Sequence, residues 1–255
     1  MNRTRKHVQR GLGLALALCI PCHAEDLEWI DTCFKSIKAQ TRAPDMVCFS
    51  VSSATPDRLA YFRKKLKEYS IRATIVSTPD KVLPGENRNR AGLAAVKRGA
   101  TVISFFDFDD IMHPRRIELV AASFAKYPAM IGLANGFKEE KKMAHKHLDS
   151  IDSLHWPAIK GKVYFNTLFP QKEAMKEMDN KPYYHTYVKH EFMEKHPGSP
   201  FLHRGHISIR ANYILDNRYR KNLYIAEDAD FLGTMLVQKK VVGYIPEPLS
   251  LYLTH

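Results

Sequence analysis

Apolar and polar positions alternate in blocks along the first half of the chain. After a basic, polar head, residues 14–20 form an unbroken apolar run, and beyond Pro21 the positions Leu27, Ile30, Phe34 and Ile37 recur at helical spacing with Cys33 on the same face. A buried strand followed by an amphipathic helix is the expected pair. A second apolar run, residues 46–51, ends in the turn-forming SSATPD and leads into RLAYFRKKLKEY, an amphipathic helix with a basic outer face. Residues 73–77 predict a third strand. Pro84 and Gly85 then open a helix closed by Gly99, and residues 101–106 predict a fourth strand that runs straight into three carboxylates. The stretch PRRIELVAASFAKY reads as a further helix.

Strands alternating with helices at this spacing predict an α/β domain with a mostly parallel central sheet covered by helices on both faces. In such sheets ligands gather beyond the carboxyl ends of the strands. The polar clusters at 21–26, 50–57 and 107–110 all fall there, so Pro21, His23, Glu25, Ser52 and Asp107 are expected to converge. From about 138 to 201 the periodicity weakens and Lys, His, Met and Tyr accumulate. Beyond it, HISIRANYI and VVGYIPEPLSLYL predict strands flanking the helix EDADFLGTMLVQ.

The start, MNRTRKHVQRGLGLALALCIPCHAED, imitates a secretory signal: a basic head, an apolar run and Ala24 as a small residue for cleavage. The run is too short to span a bilayer. The helix after Pro21 needs a buried strand to pack on, so the run reads as that strand, and the expected location is the cytoplasm.

Composition changes this picture little. Hydrophobic residues at 45% and charged residues at 26% fit a globular chain, and 255 residues suffice for one sizeable core. The net charge of +12 favours polyanionic partners: a nucleotide diphosphate, nucleic acid or an anionic membrane surface. Zinc-finger spacing, RNP-like motifs and base-reading helices are missing from the sequence, so nucleic acid is not expected. Cys19, Cys22, Cys33 and Cys48 crowd into the first fifth of the chain, too unevenly for a disulfide framework, and Cys19 and Cys22 lack the second pair that a zinc site needs.

Asp107, Asp109 and Asp110 carry the strongest chemical signal. Three carboxylates at the end of a buried strand repel one another unless a cation sits among them, and a hard divalent ion such as Mg²⁺ or Mn²⁺ would serve, neutralising a bound diphosphate as well. One Asp is also a reasonable cap for the following helix. Glu227, Asp228 and Asp230 either crowd an acid-rich helix start or supply a proton-accepting pair. His203 and His206 suggest zinc, but no Cys or carboxylate is expected to complete a set.

The order of these segments resembles the GT-A glycosyltransferases, particularly the inverting enzymes of family 2. IPCHAEDLEWIDTCFKSIKAQT is similar to that family's opening strand, Pro-containing loop and helix. NRNRAGLAAVKRGATVISFFDFDD is similar to the helix and strand that lead to its D-x-D motif, AEDADF to its x-E-D motif, and YLTH to its terminal Tyr-x-x-His. The resemblance covers residues 14–255 as one GT-A domain behind a basic extension, 1–13. Within it, 14–137 would be the nucleotide-sugar-binding half and 138–255 the acceptor-binding and catalytic half.

By that resemblance, Asp109 with Asp107 or Asp110 would bind the metal, with His255 as a further ligand that suits Mn²⁺ better than Mg²⁺. Asp228 would be the general base towards the acceptor hydroxyl, assisted by Glu227. Arg88 and Asn89 match the family's Arg-Asn, which would contact the nucleotide or its phosphates, and Gly205 falls in a glycine-containing loop near the donor sugar. The implied activity is metal-dependent inverting transfer from a nucleotide-sugar, UDP being the commonest donor, to a glycan or other hydroxyl acceptor. Where the family carries an acidic pair after its second strand, this chain reads SVSSATPD, leaving Ser52 or Ser53 to meet the base or ribose. Trp156, Tyr183, Tyr184 and Tyr187 either stack on acceptor sugars or pack in the core. A non-catalytic module that binds nucleotide-sugars or polyanions is the alternative.

Overall fold

The structure, a computed structural model, describes residues 13–141, 150–151, 154–165 and 206–254. The apolar run after the basic head becomes β1 (Leu16–His23), whose first five residues are wholly buried. It is central: β1 pairs in parallel with β2 (Met46–Ser52) on one side and β4 (Val102–Phe105) on the other, and β2 pairs with β3 (Thr74–Ser77). Pro21 is tolerated within β1 because pairing with β4 stops at Cys19, so the missing N–H is not needed there.

The sheet order is β3-β2-β1-β4-β8-β6-β9-β5. It is completed by β5 (Ile111–Met112), β6 (Gly132–Lys141), β8 (Ser208–Arg210) and β9 (Val242–Thr254), with β7 (Tyr164–Phe165) paired to β9. β1 to β4, β6 and β9 run one way; β5, β7 and β8 run against them. The sheet is thus mostly parallel, as expected.

Alternate residues of β1 point to opposite faces, as a strand requires. Leu16, Leu18 and Ile20 join a core with α1 (Ile30–Lys38), α2 (Pro56–Glu68) and α4 (Arg116–Lys126), where Phe34, Phe49 and Phe62 meet at ring separations of 5.0 to 5.6 Å. Ala17 and Cys19 join a second core with α3 (Pro84–Lys97), α5 (Tyr213–Asp216) and α6 (Glu227–Val237). The chain moves outward from β1 to β3 and returns through α3 to β4, on the far side of β1. That reversal leaves a crevice beyond the ends of β1 and β4.

Five elements differ from the expectation, two of them the short strands β5 and β7, which no apolar run announces. A short 3-10 turn, Leu27–Trp29, precedes α1. β6 occupies the stretch where periodicity fades: only its first half is buried, and Gly132 and Gly136 blur its pattern. HISIRANYI supplies only the three residues of β8 before bending into α5. Among the described residues no helix is long and apolar enough to cross a membrane.

Candidate active site

A cleft of about 470 Å³ lies at the β1–β4 crevice. Pro21 and His23 at the end of β1, Asp107 and Asp109 after β4, Arg88 on α3, and Glu227 and Asp228 at the start of α6 all line it. The two acidic motifs, more than a hundred residues apart in sequence, therefore share one cavity.

Helix α3 brings them together. Its first turn lies against the segment before α6 so closely that a Cβ on Gly85 would sit 2.8 Å from the Arg220 carbonyl oxygen and 3.1 Å from Tyr219 Cβ. From there successive side chains reach three neighbours. Asn87 accepts from Ser50 Oγ and donates to Ser52 Oγ, both at 2.9 Å. Arg88 donates to Asp107 Oδ1 at 2.6 Å and, from its other terminal nitrogen, to Glu227 Oε1. Asn89 donates to the Tyr219 carbonyl and accepts from the Tyr219 N–H, each at 2.9 Å.

The electrostatics follow. Burial alone would pull the Arg88 guanidinium down, but Asp107 and Glu227 raise it further, so Arg88 stays charged. Burial pushes the Asp107 carboxyl up to about 6; Arg88 pulls the other way, while Asp109, Glu227 and Asp228 add to the rise. Asp228 accepts the Ala229 N–H at 2.6 Å in the first turn of α6, and Ala226 before it is held at φ +64°, a left-handed conformation that a non-glycine residue adopts only under constraint.

Asp110 points away from the cleft. It accepts the Leu253 N–H at 2.9 Å through one oxygen and meets His206 Nε2 at 2.9 Å through the other. His206 Nδ1 lies 2.8 Å from Ser250 Oγ, and its ring stacks on Phe106 at 4.2 Å. Ligand atoms of Asp107, Asp110 and His206 all lie within 4.8 Å of one another. The carboxylates that the sequence neighbourhood of His206 lacks thus arrive from the turn after β4.

Other expected residues fall elsewhere. Asn89 is buried with its amide committed to the Tyr219 backbone, Ser52 is buried against Asn87, and exposed Glu25 pairs with His23 at 3.5 Å; none of the three lines the cleft. Ser53, at φ +52°, has its hydroxyl 2.8 Å from His23 Nε2. Gly205 and His255 lie outside the described residues, as do Tyr183, Tyr184 and Tyr187. Trp156 sits edge-on to His113 at 4.7 Å and packs on the core. Phe108 and Tyr224, which no motif singled out, line the cleft as well, as do Asp26 of the 21–26 cluster and Tyr252 of the Tyr-x-x-His, to which no role was assigned.

The family model described as Glycosyl transferase family 2 matches residues 17–192. The chain belongs to glycosyl transferase family 2. Solved structures agree on the fold of this family 2 chain. Staphylococcus aureus TarS 1–349 in complex with UDP superposes at a TM-score of 0.59 and 13% identity, over 94% of this chain and 61% of that one. The mannosyltransferase PcManGT from Pyrobaculum calidifontis, in complex with GDP-Man and Mn²⁺, superposes at 0.55 and 10% identity, over 94% and 57%. This chain thus spans about three fifths of the length of those proteins. No curated protein matches it by sequence. The single α/β domain with its mostly parallel sheet is that of the GT-A glycosyltransferases.

The side chains of this family 2 protein suit a divalent cation. Asp107 and Asp109 offer hard carboxylate oxygens to the cleft, and Asp110 and His206 stand behind Asp107 as a carboxylate and an imidazole, the mixed O,N set that favours Mn²⁺ over Mg²⁺.

Proposed function

We propose that the protein is a metal-dependent inverting glycosyltransferase that moves a sugar from a nucleoside diphosphate to an acceptor hydroxyl in glycan or polysaccharide synthesis. The observation that carries this reading is the shared cleft, in which carboxylates fit for an ion and a carboxylate fit for a base face each other across Arg88. Neighbours of the same fold are described in complex with UDP, UDP-GlcNAc or GDP-Man. A nucleotide-sugar donor is the corresponding partner here, with a UDP-sugar as the first choice.

In this reading Asp228 accepts the proton of the acceptor hydroxyl. The freed oxygen attacks the anomeric carbon from the face opposite the diphosphate, one C–O bond forming as the other breaks and configuration inverting. Glu227, anchored by Arg88, holds its own carboxylate out of that role and fixes the start of α6, so that Asp228 is presented from a rigid first turn. Arg88 keeps Asp107 in register with the same unit. Pro21 and His23, which line the cleft, would contact the nucleotide. A Mn²⁺ or Mg²⁺ ion held by Asp107 and Asp109, with Asp110 and His255 as further candidates, would stabilise the charge that grows on the leaving diphosphate. Gly205 is kept as a candidate contact to the donor sugar.

The net charge of +12 supports peripheral contact with an anionic membrane surface, and a cytoplasmic location is part of the same proposal. A panel of nucleotide-sugars read by thermal shift with and without Mn²⁺, followed by turnover assays, tests the main reading. Stabilisation by one donor that depends on Mn²⁺, with release of the nucleoside diphosphate, is the expected result. Binding without turnover for every acceptor would favour the non-catalytic module, and no stabilisation by any donor would overturn both.

A further inference from the structure

Arg116, the first residue of α4, is fully buried. Its guanidinium donates to Ser104 Oγ at 2.8 Å, to the Phe105 carbonyl at 3.0 Å and to the His206 carbonyl at 2.9 Å, and lies 5.0 Å from the centre of the Phe106 ring. None of these acceptors is ionised, and Nε is buried without a hydrogen-bond partner. Among the described residues no carboxylate forms an ion pair with it. Burial pulls it down to about 9 while Asp107 pushes it back up, so it remains a cation at neutral pH.

A buried charge without a contacting counterion is costly, and an apolar side chain of similar volume would pack there at less expense. Opposite charge is nonetheless close along the chain. The groups that Arg116 grips are Ser104 and Phe105 at the end of β4, immediately before Asp107, together with the carbonyl of His206, whose ring meets Asp110. Arg88 pairs with Asp107 and lines the cleft; Arg116 does not line it and lies over the Phe106 ring that precedes Asp107.

We propose that Arg116 is a built-in countercharge of the acidic turn: it fixes the end of β4 and the backbone of His206, from which the turn's Asp107 and the partner of Asp110 project, and it lowers the affinity of the turn for a divalent cation. Arg116 is thus a positioning residue, acting through the turn rather than on substrate. The inference rests on the reading that this turn holds a divalent ion, but its test reads ion binding and not sugar transfer.

The test compares wild type with Arg116→Gln and Arg116→Lys by Mn²⁺ titration followed by electron paramagnetic resonance, at low ionic strength without nucleotide, together with metal-free thermal unfolding. Removing this buried positive charge, which acts on Asp107, should tighten Mn²⁺ binding by on the order of tenfold. R116Q should therefore bind more tightly although it unfolds at a lower temperature, and R116K, which keeps the charge, should stay within about threefold of wild type. A residue that served packing or hydrogen bonding alone would leave affinity unchanged or weaken it as stability falls, so unchanged or weaker binding in R116Q overturns the inference. If R116Q does not fold, R116K decides: affinity within about threefold supports the charge, and a larger change shows that the fork of hydrogen bonds sets the turn. If wild type binds no Mn²⁺, the metal requirement of the proposed function fails; the inference then stands if R116Q acquires binding and falls if it does not.

Discussion

Replacing Arg88 by Met probes the link between the two acidic motifs most directly. The guanidinium side chain is 4% exposed, and its partners Glu227 and Asp107 are 9% and 20% exposed, so the substitution leaves two carboxylates facing each other in a largely closed space. Each charge-assisted hydrogen bond is worth about 1.5 to 3 kcal/mol, and removing one partner of a buried ion pair typically costs about 3 to 5 kcal/mol. The partial exposure of Asp107 places R88M at the lower end, about 3 kcal/mol. Urea unfolding of the metal-free protein, followed by fluorescence and circular dichroism, measures this. E227Q and the double variant complete a cycle, in which the coupling between Arg88 and Glu227 should reach about 1 to 3 kcal/mol. A coupling under about 0.5 kcal/mol would mean that the clamp contributes nothing to fixing α6 against the turn after β4, and the account of how Asp228 is presented would be wrong.

Three further outcomes are expected. D228N should keep donor and Mn²⁺ affinity while turnover drops about 10²- to 10⁴-fold; calorimetry beside initial rates checks this, and a collapse of binding together with rate would make Asp228 a donor ligand. D109A should abolish transfer yet unfold no earlier than wild type, because it relieves repulsion within the turn; unchanged divalent-dependent turnover would place the ion elsewhere. His113, buried and accepting the Arg115 N–H at 3.0 Å, is pulled down to about 4, first by burial and then by Arg115. Its neutral form is favoured in the fold, so the stability it contributes is complete above about pH 6.5 and drains away as pH falls towards 4, by up to about 3 kcal/mol. H113N should flatten that limb of the pH–stability curve, and an identical acid limb in variant and wild type would refute the assignment.

The elements readable in the sequence were those whose local pattern and tertiary surroundings agree. β1, β2 and β4 are buried on both faces and announce themselves as apolar runs, and Pro84, Thr55 and the acids of α6 mark helix starts. β6 escaped because its second half is exposed and its pairing with β9 shifts register twice near Gly136, so neither face carries a clean alternation. The same contrast holds in the cleft. Asp107, Asp109, Arg88, Glu227 and Asp228 could be named from motifs, since their chemistry is unusual at those spacings. For Asn89 a motif gives residue type but not direction: on a helix each successive side chain turns by about 100°, so the neighbour of Arg88 meets the Tyr219 backbone and does not line the cleft. His206 lies nearly a hundred residues from Asp110, and no local signal connects the two.

The acidic turn is tied down by bonds that span most of the chain: Asp110 to the Leu253 N–H across 143 residues, Arg88 to Glu227 across 139. During synthesis, β1 to β4 and their helices can collapse around the Phe34, Phe49 and Phe62 cluster long before either partner has emerged from the ribosome. The nascent protein would then pass through a stage with β1 to β4 formed while the carboxylates of the turn still lack their restraints, and contacts of such high sequence separation form late and slowly. The turn is therefore fully tied down only when β9 docks between β6 and β5, and a chain stalled or clipped before that strand would look folded while its acidic turn lacked that restraint.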